Sequence, residues 1–183
     1  AGNLEGAEIV VATLDGMNLV EVGLAGATLL EVSARGATFD RCVMLGVKLE
    51  ACNFEGASLV GCTLSELHAA AAPGDERTLL RGAKLDDAVL VGADLSRCDL
   101  DGASLREAVL MNAKLRGADL RRADLTGAVL HGADLSGCDL SGATLDGAVL
   151  GDATMAFANV AESSLFEVDF SEVPSLDGVR LGG

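Results

Sequence analysis

The chain carries a large apolar residue at every fifth position over most of its length. From Leu80 to Phe170 there are nineteen such positions, sixteen of them Leu, and the residue two positions before each one is nearly always small. Within one unit the side chains are predicted to point inward, outward, inward, outward and outward. This order is neither the periodicity of a helix nor the alternation of a strand. It predicts a short extended step with two inward side chains, followed by a two-residue corner at which glycine is frequent.

A second period of twenty residues shows how many corners close one turn of the chain. The tripeptide Ala-Val-Leu recurs at 88–90, 108–110, 128–130 and 148–150. Four five-residue units therefore make one coil with four faces. Equivalent residues should stack from coil to coil at about 4.8 Å, the spacing of adjacent strands. A repeat of this kind is the sequence signature of a solenoid.

The same five-residue period begins near the amino terminus in a different phase. We predict one continuous solenoid domain of about eight to nine coils. It comprises a first repeat segment at 1–64, a projecting insertion at 65–79 and a highly regular second segment at 80–181. The insertion contains the turn signal Pro73-Gly74. One, six or eleven additional residues would all restore the phase, so its length stays open at this point.

Several units match a known repeat closely. They are Gly-Ala-Asp-Leu-Ser at 92–96 and 132–136, Gly-Ala-Asp-Leu-Arg at 117–121 and Arg-Ala-Asp-Leu-Thr at 122–126. These units resemble the pentapeptide-repeat family, whose units read Ala-(Asp/Asn)-Leu-x-x, and the resemblance covers nearly the whole chain. It implies an all-β fold, the right-handed quadrilateral β-helix. The four faces follow from the residues, whereas the handedness is implied by the family alone.

The composition gives no positive sign of catalysis, of a cofactor or of a metal site. His68 and His131 are the only histidines, and no nucleophile with a base and an orienting group can be proposed around them. A rod filled with side chains also offers no large pocket. We therefore expect a protein that is not an enzyme, with no catalytic, cofactor-binding or metal-binding residues. Membrane contact is not expected, because no apolar run approaches the ~20 residues of a membrane span.

The cysteines all fall on the small inward position of a unit. They are Cys42, Cys52, Cys62, Cys98 and Cys138. They suit either a disulfide or metal framework, or a small apolar residue in place of Ala. We favour the second interpretation, because inward Cβ atoms about 4.8 Å apart in adjacent coils exceed the usual Cβ separation of a disulfide. Reduced thiols are compatible with a cytoplasmic location, which is our expectation.

A column of valines is the first candidate binding surface. Val89, Val109, Val129 and Val149 occupy the outward position before the large residue, where a polar residue is usual, and Val91 and Met111 extend the stripe. A contiguous apolar stripe on the outside of a rod favours a protein-binding face. The alternative is that valine is a good strand residue that stacks on itself.

Acidic residues form the second candidate surface, since the net charge is −15. Residues 1–34 hold five acids and residues 123–179 hold ten, without any Lys or Arg in either range. Asp99, Asp119 and Asp139 form a column of like charges at coil spacing, which is destabilising in itself. The alternative is that Asp simply takes the usual second position of the repeat and keeps the rod in solution.

The family resemblance gives the acidic column a possible role. Some pentapeptide-repeat proteins, the quinolone-resistance proteins among them, are acidic rods that imitate duplex DNA and bind DNA gyrase or another type II topoisomerase. An acidic rod of this kind binds a protein in place of nucleic acid, so direct nucleic-acid binding is not expected. Those proteins resemble dimers joined by a carboxy-terminal helix, whereas residues 171–183 do not predict a helix.

The insertion and the two ends of the rod complete the candidate surfaces. The candidate residues of the insertion are His68, Pro73, Asp75, Glu76 and Arg77. The ends of a β-helix expose strand edges and apolar side chains, which an end-to-end homodimer would cover.

Three functions remain open from the sequence. We favour a non-catalytic repeat scaffold that binds a protein partner through the valines, the insertion or both. The first alternative is an acidic DNA mimic that binds a type II topoisomerase and so inhibits gyrase or protects it from quinolones. The second is a structural spacer domain of a larger protein.

Overall fold

The backbone consists of three-residue extended steps separated by two-residue turns, in a computed structural model that describes residues 2–71 and 76–182. Three of the steps are strands: β1 at Glu8–Val10, β2 at Thr28–Leu30 and β3 at Lys48–Glu50. They pair in parallel in that order. Each strand is one side of a successive coil, so the sheet is a ladder that runs along the rod.

The other extended steps pair through single bridges and complete four faces, which we number by the order in which the chain meets them. Face 1 stacks the outward residues Asn3, Gly23, Val43, Thr63, Val89, Val109, Val129 and Val149. Face 2 stacks Glu8, Thr28, Lys48, His68, Asp94, Lys114, Asp134 and Thr154. Face 3 stacks Thr13, Ser33, Asn53, Leu79, Asp99, Asp119, Asp139, Asn159 and Arg180. Face 4 stacks Asn18, Thr38, Ser58, Lys84, Ser104, Asp124, Thr144 and Ser164. The prediction of a quadrilateral β-helix is thereby confirmed.

The core is a stack of leucine layers separated by small residues. In one coil Leu90, Leu95, Leu100 and Leu105 point inward, and each is at most 1% exposed. The small inward position is buried as well, and it includes all five cysteines, which are free. Burial raises the pKa of Cys62, Cys98 and Cys138 to about 12. Their thiols donate to backbone carbonyls, as in the 2.8 Å contact from Cys138 Sγ to the oxygen of Leu115.

Four of the five backbone amides in a repeat are satisfied by the backbone of the rod. In residues 98–102, Asp99 donates to the preceding coil, Leu100 and Gly102 donate to the following coil, and Cys98 closes the turn, with N–O distances of 2.8 to 3.2 Å. The fifth amide belongs to Asp101, the first corner residue. It donates to Oδ1 of Asp99 over 3.3 Å. An aspartate or asparagine in the outward position thus completes the hydrogen bonding of its own corner.

The second corner residue adopts the left-handed region whether or not it is glycine. Gly102 has φ 67°, and Arg97, Glu107 and Arg122 have φ 63°, 55° and 57°. An ordinary residue in this region costs roughly 1–2 kcal/mol. The bonds between coils therefore impose the corner geometry on residues that would otherwise avoid it.

The insertion is shorter than the predicted range 65–79. Residues 67–69 form an ordinary step of face 2, and His68 bridges both Lys48 and Asp94. The bridges across the insertion join residues 26 apart, such as Asn53 and Leu79, in place of the usual 20. The corner at 70–77 thus contains six additional residues. The predicted turn residues Pro73 and Gly74 lie outside the described residues.

The ladder of face 1 ends one coil earlier than that of face 3. Asn159 bridges Arg180 on face 3, 21 residues along the chain, so the last coil contains one additional residue. On face 1 the last bridge joins Val129 and Val149, and the bridges of the described residues do not pair Val149 with Asp169. The valine column therefore ends at an open strand edge.

Truncating a central leucine should destabilise the whole rod. Leu110→Ala removes a fully buried side chain and leaves a cavity, so we expect the free energy of unfolding to fall by about 2–5 kcal/mol. Urea denaturation followed by far-ultraviolet circular dichroism measures this change. Leu181→Ala is the control, because Leu181 is 73% exposed and its loss should cost less than about 0.5 kcal/mol. Equal effects of the two variants would contradict the proposed core.

Candidate functional site

The structure brings the predicted valines into one continuous stripe. Val89, Val109, Val129 and Val149 bridge one another in successive coils, and Val91 and Met111 lie at the adjoining corner. We call these six residues the valine surface. The first three valines of the column are half-buried by their neighbours, whereas Val149 is 52% exposed. The surface is therefore accessible along its length and most open at the carboxy-terminal end.

Two further apolar residues extend the stripe toward the amino terminus. Val43 lies on face 1 below Thr63 and is 47% exposed, and Leu45 follows it at the corner with 45% of its surface exposed. Neither residue was predicted from the sequence as part of the stripe. Their place in the column depends on the length of the insertion, because one coil between Val43 and Val89 has 26 residues rather than 20.

A row of backbone amides borders the valine surface. The first corner residues after the valines are Val91, Met111 and His131, and valine cannot accept a hydrogen bond from their amides as aspartate does on face 3. Among the hydrogen bonds of the described residues, none gives these three amides an acceptor. The apolar stripe is thus accompanied by donors that are open to water or to the acceptor groups of a partner.

The opposite border of the stripe is acidic and well ordered by hydrogen bonds. At the corner between faces 4 and 1, Asp146 accepts from Ser164 Oγ over 2.5 Å and from the amide of Phe166 over 3.0 Å. Asp86 makes the same pair of contacts with Ser104 Oγ and with the amide of Arg106. These carboxylates join consecutive coils, so they are part of the fold as well as a negative border.

A gap opens where the ladder of face 1 ends. It has a volume of about 160 Å³ and lies between the step at 147–151 and the acidic residues Glu167, Asp169 and Glu172 of the last coil. The amide of Leu150 has no backbone acceptor among the described residues, unlike the equivalent amide of Leu130, which donates to Val149 over 2.7 Å. The end of the valine surface therefore combines an exposed apolar side chain with an open edge.

The predicted acidic column exists, but two of its three carboxylates are paired with arginine. Asp99, Asp119 and Asp139 are stacked on face 3. Arg81 Nε lies 2.6 Å from Asp99 Oδ2, and Arg121 Nε lies 2.7 Å from Asp119 Oδ1. This column consequently presents far less negative potential than three free carboxylates would, and the repulsion expected from the sequence is offset by arginine.

Further contacts link this column to the neighbouring corner. Asp101 accepts from Arg122 Nε over 3.0 Å, and Asp139 accepts from Asn159 Nδ2 over 3.0 Å. These arginines were not predicted from the sequence, although Arg81 and Arg121 share one position of the repeat. Burial raises the pKa of Asp119, but hydrogen bonds from Arg121 lower it by more, so the net pKa is below its ordinary value.

The predicted insertion residues that the structure describes lie in different places. His68 belongs to face 2, where it bridges Lys48 and Asp94. Glu76, together with Lys48 and His68, lines a pocket of about 390 Å³ beside that corner. Arg77 lines a different cleft. Pro73 and Asp75 lie outside the described residues.

The sequence matches the model of a known protein family over most of its length. The family model described as pentapeptide repeats matches eight copies, within residues 27–66, 76–111, 103–142 and 133–172. The chain belongs to the pentapeptide repeat family. The resemblance inferred from units such as 92–96 is thereby confirmed.

Several solved structures are similar to this chain, and that of QnrB1 shares its fold. The trypsin-treated form of QnrB1, a plasmid-mediated fluoroquinolone resistance protein, is 20% identical, covers 99% of this chain and 86% of its own, and has a TM-score of 0.53. HetL, involved in heterocyst differentiation regulation in Nostoc sp. strain PCC 7120, is 28% identical with a TM-score of 0.38, and the match covers 100% of this chain and 84% of HetL. The alr5209 protein from Nostoc PCC 7120 is 35% identical over 57% of this chain and 80% of its own, with a TM-score of 0.44. Among curated proteins, no relative matches.

Neither a cluster of metal ligands nor a membrane-length helix occurs in the part of this pentapeptide repeat protein that the structure describes. Within residues 2–71 and 76–182, no three His, Cys, Asp or Glu side chains converge as a set of metal ligands. Over the same ranges, the structure has no helix with the length and apolar character needed to cross a bilayer.

Acidification should destabilise the rod through its bonded aspartates. The carboxyls of Asp119, Asp124 and Asp134 are partly buried, which raises their pKa values. Hydrogen bonds accepted from Arg121, Thr126 and Ser136 respectively, together with the charge of nearby arginines, lower the pKa values by more, so the net shift is downward. A lowered folded-state pKa stabilises the protein above the unfolded-state value of about 3.9, and that stability is lost as the pH falls through the folded-state pKa.

Urea denaturation at several pH values measures this effect. We expect a nearly constant contribution from these groups above about pH 5 and a progressive loss below about pH 4. Asp119→Asn should be less stable than the wild type at neutral pH and should lose less on acidification. If the free energy of unfolding depended on pH identically in the two proteins, the contact between Arg121 and Asp119 would make no contribution to stability.

Proposed function

We propose that this pentapeptide repeat protein is a non-catalytic scaffold that binds a protein partner through the valine surface. The observation that carries the proposal is the combination, on one face, of an apolar stripe with a row of amides that lack an acceptor. On face 3 the corresponding positions hold aspartate, and the amides of Asp101, Arg121 and Ser141 are bonded to it. Apolar side chains beside hydrogen-bond donors match the composition of a protein–protein interface.

The geometry of the surface favours a protein over a small ligand. A small molecule binds in a concave site that covers most of its surface, whereas the valine surface is one side of a rod. Its apolar residues span consecutive coils from Val89 to Val149, and Val43 and Leu45 continue the stripe. The matching partner presents apolar side chains along a line, with carbonyl or side-chain acceptors opposite the amides of Val91, Met111 and His131.

Charge on the valine surface should abolish binding without unfolding the rod. Val109→Glu with Val129→Glu places two carboxylates in the centre of the interface, where a partner would have to desolvate them. Both valines point outward, so we expect an unchanged circular dichroism spectrum. A photoreactive amino acid at position 109 should cross-link the partner, and titration of that purified partner should show at least a tenfold loss of affinity, about 1.4 kcal/mol.

Thr38→Glu with Thr144→Glu is the matched control. Both threonines occupy outward positions of face 4, and the substitutions change the net charge by the same amount. This variant should bind the partner like the wild type. Equal affinities of the two double variants, or equal cross-linking from positions 109 and 144, would overturn the assignment of the valine surface.

A second candidate function is DNA mimicry toward a type II topoisomerase, DNA gyrase in particular. The observation that favours it is the excess of acid at the carboxy-terminal end, where residues 123–179 contain ten acids without Lys or Arg. Asp152 and Glu172 are both exposed there. The column on face 3 does not support mimicry, because Arg81 and Arg121 pair with it. The fold shared with QnrB1 agrees with this candidate only at the level of architecture.

A gyrase supercoiling assay, with and without a quinolone, tests this candidate. Mimicry predicts salt-sensitive inhibition or drug protection at or below about 1 μM. It also predicts a weaker effect for Asp152→Asn with Glu172→Gln. Glu31→Gln with Glu50→Gln is the control, since it removes the same charge at the other end. Without any effect on gyrase the mimic is excluded. If the valine variants also leave partner binding unchanged, the remaining function is that of a spacer domain in a larger protein.

A further inference from the structure

Three arginines surround a cleft at the corner between faces 2 and 3. The cleft has a volume of about 350 Å³ and is lined by Arg77, Ser96, Arg97, Arg116 and Gly117. It is separate from the valine surface, which lies on face 1 and the next corner. It stands out on a chain whose net charge is −15.

The register of the solenoid places these side chains together. Arg77 and Arg97 each precede the inward residue of face 3 in successive coils, as the bridge between Leu79 and Asp99 shows. Arg116 belongs to the next coil. The residue above Arg97 is Gly117, with φ 65°, and a Cβ added there would lie 3.8 Å from Arg97 Cγ. The coils therefore stack three guanidinium groups within a height of roughly 10 Å.

These arginines differ from most other basic residues of the chain. Seven basic side chains pair with a carboxylate in the described structure: Arg35, Arg41, Arg81, Arg106, Lys114, Arg121 and Arg122. Within the described residues, the ion pairs include none to Arg77, Arg97 or Arg116. Like charges on adjacent strands are destabilising, so the cluster carries a cost that an anion would offset.

Two carboxylates of the adjoining face 2 are engaged by other groups. Asp94 lies 3.6 Å from Lys114 Nζ and accepts from the amide of Ser96 over 3.2 Å. Asp134, whose lowered pKa includes a contribution from the charge of Arg116, accepts from the amide of Ser136 and from Thr154 Oγ1. Both carboxylates thus have partners outside the cleft, and the three guanidinium groups leave it with an excess of positive charge.

We propose that this cleft binds a ligand with phosphoryl groups. The planar guanidinium fork matches the oxygens of phosphate and donates two hydrogen bonds to them. Three such forks suit a ligand with two adjacent phosphoryl groups, and the hydroxyl of Ser96 supplies a further donor. The lining residues include no aromatic or large apolar side chain. Recognition therefore rests on the phosphoryl groups rather than on a base or another ring attached to them.

Calorimetric titration of the full chain with inorganic pyrophosphate at constant ionic strength tests the proposal. We expect saturable binding, weakened at least tenfold in Arg97→Gln with Arg116→Gln. Both side chains are on the surface, so the variant should fold, which circular dichroism checks. Arg35→Gln with Arg106→Gln is the control, because it removes the same charge from arginines that pair with carboxylates elsewhere. The control should bind pyrophosphate like the wild type.

Titrations with two further ligands define which chemical groups the cleft recognises. A nucleoside diphosphate should bind as tightly as pyrophosphate if the phosphoryl groups alone are recognised, and markedly tighter binding would overturn that part of the proposal. Citrate supplies carboxylates in place of phosphoryl groups and should bind at least tenfold more weakly. Absence of saturable pyrophosphate binding, equal binding of citrate, or equal losses in the two double variants would overturn the phosphoryl site.

Discussion

The hydrogen bonding of the backbone amides is the constraint on which this molecule depends. In a complete repeat such as residues 98–102, three amides bond to neighbouring coils and one closes the turn, so only the first corner amide needs a side-chain acceptor. Asp99 supplies one for its corner, as Asp119 does for the next coil. Val109 cannot. Where the acceptor is not supplied by a corner aspartate of the preceding coil, as Asp86 supplies it to Arg106, the outward residue decides both how well its corner is satisfied and what the surface offers. For this reason the apolar stripe and the row of unbonded donors lie side by side.

Coil stacking also organises the charges. Residues eighteen to twenty-one apart in sequence face each other in adjacent coils, and arginines at these separations pair with aspartates, as Arg81 does with Asp99 and Arg122 with Asp101. The net charge of −15 therefore says little about the local potential on face 3. Excess acid remains at the two ends of the sequence, and the cluster around Arg97 is the opposite extreme, with positive charge concentrated on an acidic protein.

Much of the fold follows from the sequence because the same five-residue pattern, and with it the same local geometry, recurs many times along the chain. The five-residue and twenty-residue periods are sufficient for the four faces and for the stacking of Val89 through Val149. The length of the insertion was not predictable, since any corner that restores the phase lets the next coil pair equally well, and the place of Val43 in the stripe depended on that length. The pairing of Arg121 with Asp119 was also missed, because a column of aspartates suggests repulsion until the side chains of the adjoining corner are placed.

The ladder has a mechanical consequence. One coil holds twenty residues in most of the rod, and consecutive coils contact each other through short bridges, with free cysteines that form no cross-link between them. A coil contributes only about 4.8 Å to the length of the rod, whereas the same residues fully extended span about 70 Å. Tension applied to the ends would therefore lengthen each coil that peels away roughly fourteenfold. The last coil, which lacks its bridge to Val149, would yield first.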